Sequence, residues 1–199
     1  MNKAKIRDFF DQRASRWDED NMQNRETLSK ILDNAKITEG VHVLDVACGT
    51  GILFPWYNQR KVASVTGIDL SGEMIKNAGA KFPEIKLICG DAETYSFQRI
   101  FDRIMVYNAL PHFADPEALI ENLTRYLAPG GIISIAHGMS REALNEYHNR
   151  HAEPVSLKLM EIAELEQKLA PYIRIITSIS DGTMYQLVGV YRDSMENVL

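Results

Sequence analysis

Three of the chain's five histidines lie in one short stretch, HGMSREALNEYHNRH, which runs from His137 to residue 151. The second half of this stretch has the pattern of a helix. Leu144, Tyr147, His148 and His151 follow the spacing i, i+3, i+4 and i+7, which places them on one helical face. Two histidines and a tyrosine on one face are groups that can move a proton or bind a metal, provided that the face turns toward a substrate.

Three interpretations of this face remain open. In the first, the face is partly exposed and its histidines are solvated or form local hydrogen bonds. In the second, one histidine, with Tyr147 nearby, acts as a general base or orients a substrate, because imidazole titrates near neutral pH. In the third, His148 and His151 bind a transition metal such as Zn, Ni, Co or Fe together with His137 or His112, although the spacing matches no known metal motif.

Acidic residues mark three successive strand-like segments of the chain. Asp45 lies in the first, and Asp69 and Asp91 follow the second and third. In open α/β sheets, ligands bind outside the carboxyl ends of the strands. An acid at the position of Asp69 can accept both ribose hydroxyls of a nucleoside, and Asp91 can accept a hydrogen bond from an exocyclic amine. These acids are suited to a cationic nucleoside and poorly suited to a pyrophosphate.

The loop after the first strand, DVACGTG, contains two glycines. Gly49 and Gly51 allow a tight turn and a close approach of a ligand to the backbone. A dinucleotide-binding loop would have a third glycine where this chain has Phe54, and no phosphate-binding P-loop motif is present. The glycine pair alone is therefore a weak signal.

Strand and helix patterns alternate along most of the chain, which predicts a mostly parallel sheet covered on both faces. The alternation of polar and apolar residues predicts an N-terminal helical region over residues 4–35 and a further helix over 154–170, with Pro154 in its first turn. Asp181-Gly182 between two apolar runs predicts a terminal antiparallel hairpin. The strands are predicted at residues 41–47, 62–69, 85–89, 101–107 and 132–137.

Composition limits the function classes. The chain has 199 residues and a formal net charge of −5, with no basic run, which argues against nucleic acid or an anionic membrane as a partner. Its two cysteines, Cys48 and Cys89, form no C-x-x-C motif, and two free thiols suit a reducing compartment. With no apolar leader segment or membrane-length apolar run, we expect a soluble, cytoplasmic protein.

Five motifs in order carry a resemblance to a known family: VLDVACGTG, VTGIDLSGEMIKNA, GDAETYSF, FDRIMVYNALPHF and LAPGGIISIAHG. They cover about residues 40–138 and resemble the successive motifs of class I S-adenosylmethionine-dependent methyltransferases. The resemblance is to the small-molecule group that includes the quinone-biosynthesis methyltransferases. It implies a doubly wound, Rossmann-like α/β fold with a seven-stranded sheet, S-adenosylmethionine as cofactor and S-adenosylhomocysteine as product.

The resemblance also implies a set of cofactor-binding residues. The first loop surrounds the methionine part of the cofactor, Asp69 holds the ribose, and the neighbouring loops meet the adenine and the sulfonium. Cys48 is interpreted as a small loop residue rather than a nucleophile. The implied set comprises Asp45, Ala47, Cys48, Gly49, Gly51, Asp69, Leu70, Met74, Asp91, Ala92, Asn108 and Ala109, with Trp17 over them.

The N-terminal segment FFDQRASRWD is similar to the F/Y-D-x-x-A-x-x-W/Y-D pattern of lids in such enzymes. Phe9, Phe10, Arg13 and Trp17 are then expected to close over the cofactor, although packing in the core is the alternative for the aromatic residues. The predicted layout is a single domain over 1–199. It consists of a helical lid (1–38), a cofactor-binding core (39–137), a helical substrate-side insertion (138–170) and the hairpin (171–199).

The implied reaction is an in-line methyl transfer to a small-molecule acceptor by a monomer or homodimer. Positioning supplies much of its rate, and a base is needed only where the acceptor loses a proton. His112 follows the fourth strand, where a histidine of this family often serves structure, so a structural role is favoured over catalysis. The remaining alternatives are metal-assisted transfer at His137, His148 and His151, a non-catalytic S-adenosylmethionine-binding module, and a nicotinamide-dependent oxidoreductase, against which Phe54 counts.

Overall fold

The computed structural model describes residues 1–20, 24–152 and 155–191. The described strands are β1 (His42–Val46), β2 (Ser64–Asp69), β3 (Lys86–Cys89), β4 (Phe101–Tyr107), β5 (Leu127–His137), β6 (Ile173–Ser180) and β7 (Tyr185–Tyr191). The described α-helices are α1 (Lys3–Asp11), α2 (Trp17–Asp20), α3 (Arg25–Asn34), α4 (Phe54–Gln59), α5 (Gly72–Lys81), α6 (Pro116–Thr124), α7 (Arg141–His151) and α8 (Ile162–Leu169). Short 3₁₀ helices within the described residues cover Ala14–Arg16 and Leu110–His112.

The seven strands form one sheet in the order β3-β2-β1-β4-β5-β7-β6. Strands β1 to β5 are parallel, and β7 runs antiparallel between β5 and β6. The chain reverses its direction of winding between β1 and β4, and this is the place where such sheets bind ligands. The predicted doubly wound sheet with a terminal antiparallel hairpin is therefore confirmed.

Side chains of the sheet and its covering helices form an apolar core on each face. A third, smaller cluster joins Ile6 of α1 to Ala152 and Val155, which follow α7. It connects the N-terminal segment to the segment after β5, two parts of the chain that are far apart in sequence. None of the helices in the described part of the chain is long and apolar enough to cross a membrane.

The first residues of three helices are fixed by capping side chains. The Ser71 and Asp115 side chains accept backbone N–H groups at the starts of α5 and α6, and Pro116 occupies the first turn of α6. Ser140 does the same for α7. These caps fix where each helix begins after its strand.

The helix predicted over 154–170 is wrong in its first half, because α8 begins only at Ile162. Residues 155–161 instead form an irregular strap whose backbone bonds to other elements. The Leu157 N–H donates to the carbonyl of Pro111 at 2.7 Å, and the Asn145 amide bonds both backbone groups of Leu159. Pro154, the predicted first-turn residue, lies outside the described residues.

Candidate active site

One large cavity of about 690 Å³ opens at the carboxyl ends of the central strands. The loops after β1, β2, β3 and β4 form its floor, α1 and Trp17 cover it, and α7 forms the far wall. This volume falls within the range of about 300–1,000 Å³ that is usual for small-molecule sites. The acidic strand ends and the histidine-bearing helix face therefore border the same space.

The loop after β1 is held in an uncommon backbone conformation. Ala47, a residue with a Cβ, has φ of 54°, and Gly49 and Gly51 have φ of 55° and 87°. A Cβ on Gly51 would lie 2.5 Å from the Phe54 ring, so this turn requires glycine. Strained backbone of this kind is concentrated at functional loops, where the surrounding fold holds it in place.

Asp69, at the end of β2, is oriented by two backbone amides. Its Oδ2 accepts the N–H of Gly49 and its Oδ1 accepts the N–H of Ser71, both at 2.8 Å. Burial raises the pKa of Asp69 to about 6, while these two hydrogen bonds oppose the rise. Each carboxylate oxygen keeps a further lone pair, so the group can still accept hydroxyls from a ligand.

Asp91 and Glu93, in the loop after β3, are joined by a cation from the N-terminal helix. Lys3 Nζ lies 2.5 Å from Asp91 Oδ2 and also contacts the buried Glu93 carboxylate. Glu93 in turn accepts the N–H of Asp115 at 2.7 Å. The loop predicted to meet an adenine is thus tied both to α1 and to the start of α6.

The loop after β4 repeats the strained geometry of the first loop. Asn108 has φ of 53°, and its side chain accepts the N–H of Gly138 at 2.9 Å. This bond joins the ends of β4 and β5 beside the cavity. Tyr107 and Ala109, on either side of Asn108, also line the cavity.

The structure brings most of the implied cofactor-binding residues to this cavity and leaves two away from its walls. Asp45 lies buried behind the first loop, and Gly51 shapes the turn without lining the space. Burial raises the pKa of Asp45 to about 8, reinforced by nearby Asp69 and opposed by the Tyr57 hydroxyl. The implied residues that do line the cavity are Trp17, Ala47, Cys48, Gly49, Asp69, Leu70, Met74, Asp91, Ala92, Asn108 and Ala109.

Cys48 is interpreted from the sequence as a small loop residue, and its surroundings favour that interpretation. Burial raises the pKa of its thiol well above the ordinary value, and the nearby carboxylates of Asp69 and Asp45 reinforce the effect. A protonated, buried thiol is a poor nucleophile.

The N-terminal segment lies over the cavity and is fastened by polar contacts. Asp11 accepts the Ser71 hydroxyl at 2.5 Å and the Glu73 N–H at 3.2 Å, at the start of α5. Asp18 accepts the Thr50 hydroxyl and pairs with Lys81. Two acids of the FDQRASRWD pattern therefore hold the predicted lid residues Phe9, Phe10, Arg13 and Trp17, all of which line the cavity.

His112 lines the cavity between α1 and α7. Its Nδ1 is 3.0 Å from the Val155 carbonyl and 3.0 Å from the Ser156 hydroxyl. Its ring packs edge-on against Phe10 and beside His148, with both centroid distances 4.9 Å. Burial lowers the pKa of His112 to about 4; the bond to Val155 opposes the shift and His148 adds to it.

The face of α7 turns inward only in part. Leu144 and His148 are buried, whereas Tyr147 is 46% exposed and stacks on the exposed His151 at 4.5 Å. Burial lowers the pKa of His148. All four predicted residues border the cavity, with the Tyr147–His151 pair at its rim.

His137 corrects the predicted cluster. As the last residue of β5 it is fully buried, packs against the Tyr185 ring and does not line the cavity. Burial lowers its pKa to about 3, and the charges of His112 and His148 add to the shift. Its ring is therefore neutral at ordinary pH and does not border the cavity, which argues against the predicted catalytic role.

The metal interpretation is not supported. Among the described residues, no group of three or more His, Cys, Asp or Glu side chains is arranged to hold a metal ion. The helical spacing that suggested His148 and His151 as ligands separates them into a buried and an exposed position. His137, the third predicted ligand, lies outside the cavity.

Lys3, Asp11, Asp18 and Glu93 are site residues that the sequence reasoning missed. Asp11 and Asp18 are the two aspartates of the lid pattern, so the sequence could have predicted that they fasten this segment. Lys3 lies on α1 and Glu93 in the loop after β3, so their contact depends on tertiary packing and no local pattern predicts it.

Comparison with known proteins agrees with this geometry. A family model described as a methyltransferase domain matches residues 44–135. The ubiquinone biosynthesis O-methyltransferase of Coxiella burnetii is 35% identical over 108 residues, covering 51% of this chain and 45% of that protein. The chain spans half or less of the length of the first curated relatives that it matches.

Two solved structures share the fold. A Haloferax volcanii methyltransferase in complex with the Trm112 methyltransferase activator has a TM-score of 0.79 and 21% identity, covering 92% of this chain and 98% of that one. The N-methyltransferase NodS of Bradyrhizobium japonicum, bound to S-adenosylhomocysteine, has a TM-score of 0.75 and 16% identity, covering 94% and 99%. The matched methyltransferase domain, the similar methyltransferases and this sheet topology together support a class I S-adenosylmethionine-dependent methyltransferase.

Proposed function

We propose that the protein transfers a methyl group from S-adenosylmethionine to a small-molecule acceptor. The observation that carries the proposal is the large cavity that joins the acidic strand-end loops to the aromatic and histidine-lined wall. A methyltransferase needs such a space for two ligands, one at each end. The acceptor proposed here is small because the lid and α7 already enclose the far end.

The donor set fits a cationic nucleoside. Asp69, already oriented by the amides of Gly49 and Ser71, would accept the ribose hydroxyls. Leu70 and Met74 would flank the adenine, and Asp91 would accept its amine once Lys3 yields that oxygen. The strained first loop, with Ala47 and Gly49, would face the methionine part. S-adenosylmethionine supplies an activated methyl group on a positively charged sulfur.

The chain's own contribution is positioning and the exclusion of water. The lid brings Phe10 and Trp17 over the cavity, where their ring centroids lie 5.5 Å apart. Closing an apolar cover over two reactants holds them at reacting distance and keeps out competing water. The carboxylates at the cofactor end offset the positive charge of the nucleoside without lying beside the acceptor wall.

We also propose a domain layout, a cellular location and an oligomeric state. We infer a single methyltransferase domain over 1–199, with a lid to residue 38, a core to residue 137, a substrate-side insertion to residue 170 and a terminal hairpin. A cytoplasmic location would suit the two cysteines, which are unpaired. We expect a monomer or homodimer with no nucleic-acid partner, in keeping with the net charge of −5.

Calorimetric titration with S-adenosylhomocysteine tests the cofactor site. We expect binding by the wild type and a loss of affinity of about 10- to 100-fold in Asp69→Asn, which weakens a charged hydrogen-bond acceptor. The matched control is Asp33→Asn, an acid on α3 that pairs with Arg60 away from the cavity. Equal affinity in all three proteins would remove Asp69 from the site.

Transfer of a labelled methyl group to a panel of phenols, amines and thiols tests the reaction itself. We expect label to move from S-adenosylmethionine to at least one class of acceptor in the wild type and not in Asp69→Asn at low cofactor concentration. Tight cofactor binding without transfer to any class would instead indicate a non-catalytic binding module and would contradict the proposed activity.

A further inference from the structure

The hydrogen bonds of His112 determine which of its nitrogens carries a proton. Nδ1 lies 3.0 Å from the Val155 carbonyl, and a carbonyl oxygen can only accept a hydrogen bond. Nδ1 must therefore be the N–H, with the Ser156 hydroxyl at 3.0 Å as its second neighbour. In a neutral imidazole the other nitrogen then has a lone pair. The strap of residues 155–161 thus leaves Nε2 of His112 as a hydrogen-bond acceptor.

His112 is held neutral and rigid at the wall of the cavity. Its ring lies between Phe10 of the lid and His148 of α7, with the Phe10 ring edge-on at 84°. Burial, the strongest influence, and the neighbouring His148 both lower the pKa of His112, so the lone pair on Nε2 is present at neutral pH. Within the described residues, the titratable His148 packs against the half-buried His112 and is itself buried, and the buried His137 is close enough to feel the charge of His112.

Lys3 and Arg13, the lysine and arginine among the described residues that line the cavity, both contact other groups. Lys3 pairs with Asp91 and Glu93, and the Arg13 guanidinium lies over the Phe9 ring at 3.5 Å. In the described part of the chain, neither cation contacts His112. The same cavity is also lined by the apolar or aromatic residues Phe113, Met139, Leu144 and Ala152, and by the polar Tyr147 and His151 at its rim. A carboxylate or phosphate on the acceptor would find no counter-charge beside the imidazole, whereas an uncharged aromatic ring would find matching surfaces.

We propose that the acceptor is an uncharged phenol whose hydroxyl proton passes to Nε2 of His112 as the oxygen is methylated. This inference rests on the proposed function and names its substrate class. A neutral amine attacks without first losing a proton, but a phenol becomes a good nucleophile only as its proton leaves. An imidazole whose free nitrogen accepts a hydrogen bond at an aromatic wall is suited to the second case.

The step balances in atoms and charge. The phenolic oxygen forms a bond to the methyl carbon while the carbon–sulfur bond breaks and its electron pair stays on sulfur. The phenolic proton goes to Nε2, which leaves an aryl methyl ether, a neutral thioether and an imidazolium. A weak base suffices, because the oxygen becomes strongly acidic as the new bond forms. Val155 and Ser156 act as positioning residues, since they hold the imidazole through Nδ1.

The variant His112→Asn tests the proposal, because its side-chain amide keeps a donor near the position of Nδ1 and removes Nε2. The probes are unsubstituted phenol, which is protonated at pH 7.5, and pentafluorophenol, which is ionised at that pH. We expect His112→Asn to slow methylation of phenol by about 10²–10⁴-fold, the usual contribution of a general base. Pentafluorophenol needs no base, so its rate should fall much less. The control is His42→Gln, a histidine at the amino end of β1 that bonds Ser64.

A second measurement does not depend on turnover. In the complex with S-adenosylhomocysteine, the absorbance of bound 4-nitrophenol reports how much of it is neutral or ionised. We expect the wild type to bind the neutral form preferentially and His112→Asn to lose that preference, with its affinity for S-adenosylhomocysteine unchanged. An equal loss of rate for both phenols would show that His112 is structural and would overturn the proposal. Methylation of amines or thiols but not phenols, or no binding of 4-nitrophenol, would also overturn it, while binding and transfer of label would still support the proposed function.

Discussion

His112 and His137 have the same residue type at similar places in the fold, yet their surroundings separate them. Each follows or ends a central strand, so the sequence predicts both near the cavity. His112 lies in a 3₁₀ turn that leans toward the strap, where Val155 fixes one nitrogen. His137 is still within β5, opposite Tyr185 of β7, and its side chain points into the core. Which face of the sheet the last strand residue occupies depends on strand register, which short motifs do not specify.

The buried, neutral state of His137 predicts a pH effect on stability. Its pKa is lowered to about 3, so the unfolded chain binds this proton below pH 6.5 while the folded chain does not. The free energy of unfolding should therefore fall as pH decreases from 6.5 toward 3, by up to about 1.4 kcal/mol per pH unit for one proton. Asp45 and Asp69 act in the opposite direction, because their raised pKa values favour the folded state at low pH.

The contribution of His137 is isolated by comparing slopes. Urea unfolding between pH 4 and 6.5 should show that His137→Gln loses stability on acidification less steeply than the wild type. Tyr185→Phe removes the neighbouring hydroxyl but keeps the histidine, so its slope should match the wild type. An identical slope in all three proteins would mean that His137 takes up its proton without unfolding.

The strand-end carboxylates illustrate what could be predicted at the scale of residues. Asp69 and Asp91 lie where short apolar runs end, and this local pattern predicted their place at the cavity. Their partners could not be predicted in the same way. Lys3 is 88 residues away from Asp91, and its contact depends on how α1 folds back over the sheet. The local sequence pattern predicts the carboxylates at the strand ends. Their partners, such as Lys3, are determined by tertiary packing and cannot be predicted from that pattern.

At the scale of elements, polar bonds fasten the N-terminal segment, the proposed lid, to the loops that it covers. Asp11 bonds the Ser71 hydroxyl and the Glu73 backbone, and Asn77 donates to the Ala14 carbonyl at 2.9 Å. Its apolar contacts include the small cluster around Ile6 and the packing of the Phe10 ring against Trp17 and His112. An element held in this way can open without unfolding the sheet, which a ligand needs in order to enter.

Asp11→Ala should loosen the lid selectively. Loss of a hydrogen bond to a charged group costs about 1.5–3 kcal/mol when buried and less near the surface, so amide exchange in residues 3–11 should become about tenfold faster. Asp8→Ala is the control, since Asp8 lies on the same helix and pairs only with the adjacent Arg7 among the described contacts. Hydrogen exchange read by mass spectrometry makes the comparison. Equal acceleration by both variants would indicate fraying of α1 rather than release of the lid.

The strap of residues 155–161 shows why one element was predicted wrongly. Its apolar residues have helical spacing, but the Asn145 side chain takes both backbone groups of Leu159, and Pro111 takes the N–H of Leu157. Backbone groups used in this way are not available for a helix. The decisive partners lie on α7 and after β4, so the sequence of the segment alone favoured the wrong structure.

Asn145→Ala should destabilise the strap by leaving two backbone groups of Leu159 without partners. The expected cost is about 1–3 kcal/mol in the free energy of unfolding, because unsatisfied polar groups are expensive where they are partly buried. Chemical denaturation measures it, with Asn149→Ala, an exposed asparagine of the same helix, as the control. A change of less than about 0.5 kcal/mol, the range typical of surface substitutions, would mean that water replaces these two bonds.

At the scale of the whole molecule, the order of elements could be predicted because each link is local. Strands that alternate with capped helices require a parallel sheet, and the Asp181 turn requires a hairpin, where its carboxylate accepts the Thr183 and Met184 N–H groups. The cavity, in contrast, forms only when segments that are distant in sequence pack together. The segment that covers the cavity comes from the first residues and its far wall from residues after β5, and they meet at Ile6, Ala152 and Val155. No property of either segment alone indicates that they touch.

This junction predicts a coupling between the two ends of the cavity. S-adenosylhomocysteine at 100 times its dissociation constant stabilises the folded protein against opening by about 2.7 kcal/mol. Amides that exchange only after the ligand leaves should therefore exchange about 100-fold more slowly. We expect that protection at α7 as well as at α1, because Ile6 packs against the residues that follow α7. Ile6→Ala should keep protection in β2 and reduce it in residues 144–152, whereas Ile100→Ala, which is 54% exposed, should change neither. Hydrogen exchange with and without ligand gives the comparison, and full protection of α7 in Ile6→Ala would show that the acceptor wall responds to the cofactor through the strand-end loops and not through the lid.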